Sequence, residues 1–381
     1  DRIGELSDQP EVQASLMNTM SRAYVGLRIR DRAVPLSEKA LETRRRLFGE
    51  HSVEVAESYN GLGAAWAMRG DQDSAEVNYR KALALRRDLL GPEDEAIVET
   101  TSMLALCLHT QANFAEAESL YRESLAMVRR LKGEDDPDVT WGINNLAGIL
   151  HALGQLEEAE SLLREALSRA QTAGTDSILI ADIMSELAVV LKGNGDLEGA
   201  EPFYRDALAI RQRIFGDHPM TAQSYNNMGV FLRTRGDAAA SIPYLEKAVA
   251  IHKRLRGENH LDVAIALSNL AKSENESGDA AAAGDDYRRA IRSVENSAGP
   301  DYWVSGQVRY NYGAFLFDHG RKAEAEPYLR TGYKVMRDGL GEHHRRTLIA
   351  LRKLVDCYEA LGKSTKAETF RALIPPEDGE N

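Results

Sequence analysis

The chain is poor in the residues that make disulfide scaffolds, metal centres and aromatic cores. Its two cysteines, Cys107 and Cys357, lie 250 residues apart. No CxxC and no Cys/His spacing of a zinc site accompanies them. Neither a disulfide framework nor a metal is expected, and two free thiols suit a reducing, cytoplasmic compartment. Aromatic residues make up only 7%, whereas Ala, Leu, Glu and Arg abound, a balance that favours helix over sheet. Nothing approaches about 18 consecutive apolar residues, so no membrane span is expected. No basic-then-apolar leader opens the chain. Cationic surplus is missing too: 47 Lys and Arg face 59 Asp and Glu, for a net charge of −12. Nucleic-acid binders normally carry a basic patch, so that class of partner is not expected.

Catalytic patterns are missing as well. There is no glycine-rich phosphate loop, no HRD, no DFG, and no Ser/His/Asp arrangement suggested by spacing. An enzyme is not expected, nor a cofactor. The chain begins at Asp1 rather than Met, which suggests a piece of a longer polypeptide.

What is present is one repeat, written about nine times. A glycine closes a basic-apolar run at Gly49, Gly91, Gly133, Gly174, Gly216, Gly257, Gly299 and Gly341. The intervals are 42, 42, 41, 42, 41, 42 and 42 residues. A small residue keeps the same beat from Ala33, Ala75, Ala117 and Ala159 to Ala367, usually with a glycine five residues earlier. Within the fourth repeat, Ile143, Leu146, Ala147 and Leu150 recur at i, i+3, i+4 and i+7, the stripe of one helix face. Gly154 ends that helix, and Ala159, Leu163 and Ala166 mark a second. Each repeat is therefore two antiparallel helices joined by a short turn. Acidic residues open the second helix (Glu157, Glu158) and basic ones close it (Arg86 and Arg87, Arg129 and Arg130, Arg211 and Arg213), as the helix macrodipole favours. These arginine doublets read as solvated faces rather than phosphate sites.

A pair carrying Leu146, Ala147, Leu150, Gly154, Ala159, Leu163 and Ala166 in these places resembles a tetratricopeptide repeat, whose usual period is ~34 residues. The longer form here, with "INNLAGIL", "AESLLREAL" and the linker "FGDHPMTA", is similar to the kinesin light chain type. The resemblance implies an all-α, right-handed solenoid of about nine helix pairs. It covers residues 11–373, with 1–10 as a lead-in and 374–381 as a frayed tail. The first repeat is irregular, "GLRIRDRAVP" replacing its glycine turn. A narrower resemblance, in "DRIGELSDQPEVQASLMNTMSRAYVGL" and "LSEKALETRRRLFG", is to the segment that follows the kinase domain of certain bacterial serine/threonine protein kinases.

In such stacks the first helices line the inner, concave wall. Opposite the core stripe of the fourth repeat run Trp141, Asn144, Gly148 and His151, so Asn60, Asn144 and Asn226 face the groove at one level. Asn145, Asn227, Asn269 and Asn311 stand ~100° further round. Asparagine is a poor helix former, but its amide both donates and accepts, and a ladder of amides suits the backbone of an extended peptide. In the resembled family such asparagines line the ligand groove. The resemblance carries that role to Asn60, Asn144 and Asn226 first, and to Asn145, Asn227 and Asn269 second. The other role open to them is to bridge successive first helices and hold the stacking. Lys192, Arg233 and Lys272 lie on the same inner stripe. They either pair with wall carboxylates or form a positive strip that steers an acidic or phosphorylated segment. His51, His218, His260 and His344 sit just before helices and read as turn and capping residues. Cys107 and Cys357 share one core position.

The function expected is a non-catalytic protein-interaction scaffold that holds a peptide segment or partner domain in its groove, as the regulatory region of a bacterial signalling protein. The alternative is an intramolecular regulator of a multidomain serine/threonine kinase or nucleotide-binding regulator, closing on its own linker or catalytic domain.

Overall fold

Residues 137–172 show how one repeat folds. Asp136 caps the first helix by accepting from the Asp138 N–H at 2.8 Å, and Pro137 occupies the first turn, where no backbone donor is needed. Ile143, Leu146, Ala147 and Leu150 are all buried on one face. Gly154 then takes the left-handed conformation (φ 78°), with Gln155 N–H bonding the Leu150 carbonyl at 2.8 Å, which closes the helix and turns the chain. The returning helix buries Ala159, Leu163, Ala166 and Ala170 against the first. Ala159, with no exposed surface, is a small residue on the face that meets the first helix.

The computed structural model describes residues 8–26, 30–172, 174 and 177–375. Residues 1–7 of the expected lead-in, 27–29 of the irregular first turn and 376–381 of the tail lie outside the described residues. The chain divides into two compact units, with the division between Asn194 and Gly195. The N-terminal unit holds α1 (Pro10–Gly26), α2 (Arg30–Phe48), α3 (Val53–Arg69), α4 (Gln72–Leu89), α5 (Glu95–Thr110), α6 (Phe114–Lys132), α7 (Pro137–Ala152), α8 (Leu156–Thr172) and α9 (Ser177–Gly193). The C-terminal unit holds α10 (Leu197–Phe215), α11 (Pro219–Thr234), α12 (Ala238–Arg256), α13 (Leu261–Glu276), α14 (Ala280–Ala298), α15 (Trp303–Asp318), α16 (Lys322–Leu340), α17 (Arg345–Ala360) and α18 (Ser364–Arg371). There are eighteen helices and no strand among the described residues, the composition of an all-α repeat solenoid. No helix is long and apolar enough to cross a membrane.

Polar joints repeat with the same beat. After the glycine turns, Asp71, Asp196, Asp237 and Asp279 cap the second helices, accepting N–H bonds of 2.8 to 3.0 Å. His218, His260 and His344 cap first helices through Nδ1, at 3.1 to 3.3 Å. His51 does not: Ser52 caps α3, and His51 pairs with Asp88 at 2.5 Å. Cys107 and Cys357 are buried, free thiols, each donating to a carbonyl of the preceding pair.

The arginine doublets correct the expectation of solvated faces. Arg86 and Arg211 are only 4% and 5% exposed. They occupy the seam where a second helix meets the next first helix. Arg86 donates to the Ala96 carbonyl at 2.6 Å and to the Thr100 hydroxyl. Arg211 donates to Ser224 at 2.6 Å, and Arg44 repeats the pattern with the Glu54 carbonyl and Ser58. A guanidinium can be buried there because its terminal N–H groups are met, although the Nε of Arg86 and of Arg211 is buried without a hydrogen-bond partner among the described residues, and its stem packs on apolar surface. The second members behave as expected: Arg87 is exposed and reaches Glu123 on the next second helix at 2.6 Å.

One turn departs from the glycine rule. Ala112 holds φ 63° where the other repeats place glycine, the only positive-φ residue among the described residues that is not glycine. Left-handed strain of about 1–2 kcal/mol outweighs glycine's extra unfolded freedom of roughly 0.5–1 kcal/mol. Ala112→Gly should therefore stabilise the chain by about 0.5–1 kcal/mol in denaturant titrations. A lower midpoint would mean that the methyl group packs favourably.

Candidate functional site

First helices pack on first helices: α1 on α3 and α3 on α5, then α7 on α9, in the N-terminal unit, and α11, α13, α15 and α17 in series in the C-terminal unit. Among the described residues no second helix packs comparably on the next. The first helices therefore lie on the inside of each unit's curvature, where the inner stripe was expected.

The expected asparagines fall into two groups. On α3 and α7, Asn60 and Asn144 are half-buried, and the Oδ1 of each is sealed from solvent with no hydrogen-bond partner among the described residues. Asn145 is exposed and borders a cleft of about 300 Å³ among α5, α6 and α7, with Val98, Val128, Leu131 and Trp141 as apolar walls and Glu99 at its edge. At the equivalent level of α1, buried Asn18 donates to Glu57 at 3.0 Å, while its Oδ1 is likewise unmatched.

The C-terminal unit uses its amides differently. Asn269 Nδ2 donates to Asn226 Oδ1 at 2.9 Å, tying α13 to α11. One repeat on, Asn311 Nδ2 donates to Ser268 Oγ at 2.9 Å, tying α15 to α13, and Gln307 donates to the Asn311 carbonyl oxygen at 3.1 Å. Here the amides bridge neighbouring first helices. Asn227 is half-buried and makes no side-chain hydrogen bond among the described residues.

The basic residues also differ from one another. Arg233 reaches from α11 to Glu276 of α13 at 2.7 Å, so it is a paired charge rather than a free one. Lys192 is half-buried on α9, and its charge adds to burial in holding His151 below the ordinary histidine range. Burial alone does the same to His109, which meets Phe114 edge-on. Lys272 on α13 makes no hydrogen bond or ion pair among the described residues. Burial, then the charges of Arg233 and Arg346, pull its amine from the ordinary 10.5 to about 8, against the opposing pull of Glu276.

Arg346 escaped the sequence reading. It lies in the first turn of α17, one turn before the inner position Ile349, inside the run "GEHHRR" that looked like linker. Its guanidinium lies 5.1 Å from the centre of the Trp303 ring. Extending the inner stripe by one turn towards the N-terminus would have found it. Among the described residues no group of three or more His, Cys, Asp or Glu is placed to hold a metal ion.

Comparison with known proteins agrees with this architecture. The family profile for the tetratricopeptide repeat matches residues 13–88, 95–172, 179–237 and 220–296. No curated protein is similar enough in sequence to count as a relative. Among solved structures, BtubC (BKLC) from P. vanneervenii is 28% identical over 58% of this chain and 90% of its own, with a TM-score of 0.49. A Rap protein complexed with Competence and Sporulation Factor is 15% identical over 92% of this chain and 99% of its own, with a TM-score of 0.60. The quorum sensor NprR from B. thuringiensis, in its apo form, is 13% identical over 96% of this chain and 98% of its own, also at 0.60. At such identities the last two share the fold with this chain and nothing finer.

Lys272 carries a stability signature with a definite sign. Below pH ~8 the folded and unfolded chains both hold its proton, and the fold bears the full cost of the unpaired charge. Between about 8 and 10.5 the folded chain alone has released the proton, so stability rises with pH through that window. Lys272→Met should accordingly stabilise the protein by about 1–3 kcal/mol at pH 7. The gain should shrink above pH 8 and vanish past 10.5 in melts across pH; a gain independent of pH would assign it to packing alone.

Proposed function

The chain belongs to the tetratricopeptide-repeat family, and from that premise we propose that it is a non-catalytic scaffold gripping an extended segment of a partner protein along its first helices. The observation that carries this reading is the pair of buried, unmatched carbonyl oxygens on Asn60 and Asn144. Leaving a buried acceptor unpaired costs about 1–3 kcal/mol. Two such acceptors, on half-buried amides of the inner wall, gain N–H donors if the amides turn outward, and a peptide backbone supplies those donors whatever its side chains. The apolar cleft beside Asn145 adds room for one hydrophobic side chain of the same segment. Asn227 joins the ligand face in this reading, whereas Asn226 and Asn269 serve the stacking that holds the groove in shape.

The finer reading sets this scaffold in the cytoplasm as the regulatory or interaction region of a bacterial signalling protein. It is supported by the two free buried thiols and by the likeness of the first 48 residues to segments that follow bacterial kinase domains. A partner rich in acidic or phosphorylated residues suits Lys192 and Lys272 on the inner face, Arg233 being paired with Glu276. In the alternative setting the segment gripped is the parent protein's own linker.

Crosslinking mass spectrometry on partners captured from source lysate identifies the bound segment, and a synthetic peptide of it then measures affinity. Asn60→Ala with Asn144→Ala should weaken binding about thirtyfold, near 1 kcal/mol for each amide bond lost, and equally at low and high salt. Asn269→Ala should instead lower the melting temperature of the C-terminal unit. If the first pair leaves affinity intact, the segment binds elsewhere and the inner-wall reading is wrong.

A further inference from the structure

The first turn of α17 and one face each of α13 and α15 wall a pocket of about 450 Å³ within the C-terminal unit. Two cations enter it, Lys272 from α13 and Arg346 from α17. Neither has a carboxylate partner among the described residues. The nearby charges do not compensate them: Arg233 of α11 and Glu276 of α13 are already paired with each other. The facing side chains of α15, Gln307 and Asn311, are neutral amides. Three positive charges thus meet one negative charge, inside a protein whose net charge is −12.

That arrangement breaks the habit of this fold. Arg44 and Arg86 are more buried than Arg346, yet each is met by a carbonyl and a carboxylate. Arg309 is matched by the Pro300 carbonyl and by Glu295 at 2.7 Å. Elsewhere, then, a buried cation has its counter-charge built in. Half-buried Lys272 has none, and it shares a pocket large enough to hold a ligand group with Arg346, an exposed guanidinium that is likewise unpaired among the described residues. Burial, then the charges of Arg233 and Arg346, push Lys272 towards losing its proton, and partial desolvation alone pulls Arg346 the same way, a cost that a bound anion would relieve.

We propose that this pocket binds a phosphoryl group borne on a side chain of the protein segment held by the first helices, with Lys272 and Arg346 supplying the compensating charge. The assignment rests on the groove reading for its carrier, and on charge for its chemistry. A phosphate monoester carries about −1.5 to −2 at pH 7, which matches two unpaired cations, whereas one carboxylate leaves one of them uncompensated. The guanidinium offers a planar fork of donors and the ammonium a point charge, the two modes by which proteins hold phosphate. Trp303 and Ile265 give the pocket apolar wall for the carbon stem.

The test needs no partner. The whole chain is treated with acetic anhydride at pH 7 and constant ionic strength, and acetylation of Lys272 is followed by peptide mass spectrometry. Inorganic phosphate should slow that acetylation about tenfold or more, because an anion beside the amine raises its proton affinity. Exposed Lys334 should react at an unchanged rate. Blocked phosphoserine should protect at lower concentration than inorganic phosphate, and Arg346→Gln should abolish protection by both while leaving the helical circular dichroism intact. Acetate protecting as well as phosphate would overturn the phosphoryl assignment in favour of a carboxylate. Blocked phosphoserine failing where inorganic phosphate succeeds would overturn the side-chain-borne ligand. No protection by any of the three, or equal protection in Arg346→Gln, would overturn the site, and would leave the Asn60 and Asn144 reading standing.

Discussion

No helix pair in this chain can bury both of its faces alone. Within each unit a second helix lies between its own first helix and the next one, as α8 does between α7 and α9 and α12 between α11 and α13. Everything else depends on that sharing of faces. It fixes the period, because a repeat of a different length would turn the next apolar stripe away from its partner. It demands small residues such as Ala159, where the two helices of a pair come closest. It also makes every seam a place where polar groups are taken out of water and must be answered, which is why Arg44, Arg86 and Arg211 are set against backbone carbonyls and hydroxyls of the following helix.

Not every buried polar group is answered, since Thr101 and Ser273 also keep hydroxyls without partners among the described residues, but two sets of open groups share the first helices. The open acceptors of Asn60 and Asn144 and the open cations Lys272 and Arg346 all lie on or beside first helices, and they ask for opposite things, donors in one case and an anion in the other. Neither follows from the repeat itself. The same amide level is closed in the C-terminal unit, where Asn226 accepts from Asn269, and the same kind of cation is closed at Arg233 by Glu276. The repeat therefore tolerates both the paired and the open form, and the open form marks where the chain departs from what stacking requires.

How much of this was legible beforehand follows from the range of the forces involved. The helix pairs and their number are set by spacing along the chain, and spacing is what a sequence displays. Cys107 and Cys357 were readable as core for that reason. Whether Asn226 finds Asn269 or faces solvent depends on side-chain geometry across 43 residues, which no periodicity records. The arginine doublets misled because a helix-end dipole and a buried seam favour the same residue. Only the neighbouring helix tells Arg86 from Arg87. Arg346 was missed because a stripe read from the middle of a helix stops short of its first turn, and His343 and His344 disguised that turn as linker.

Stacked repeats can carry such local costs for a physical reason. In a globular core a buried, unpaired ammonium weakens the whole cooperative unit, whereas here stability is close to a sum of each repeat's own term and its contacts with neighbours. The penalty at Lys272 falls on α13 and on the first helices that flank it, α11 and α15, which are tied to it by the Arg233–Glu276 and Asn311–Ser268 bridges. Those bridges fix α13, the helix that presents Lys272, to the first helix on either side. Removing them would loosen the wall on which Lys272 and Arg346 are mounted, and two like charges free to swing apart would no longer need a ligand to reconcile them. The paired side chains are thus part of what keeps the unpaired ones in place.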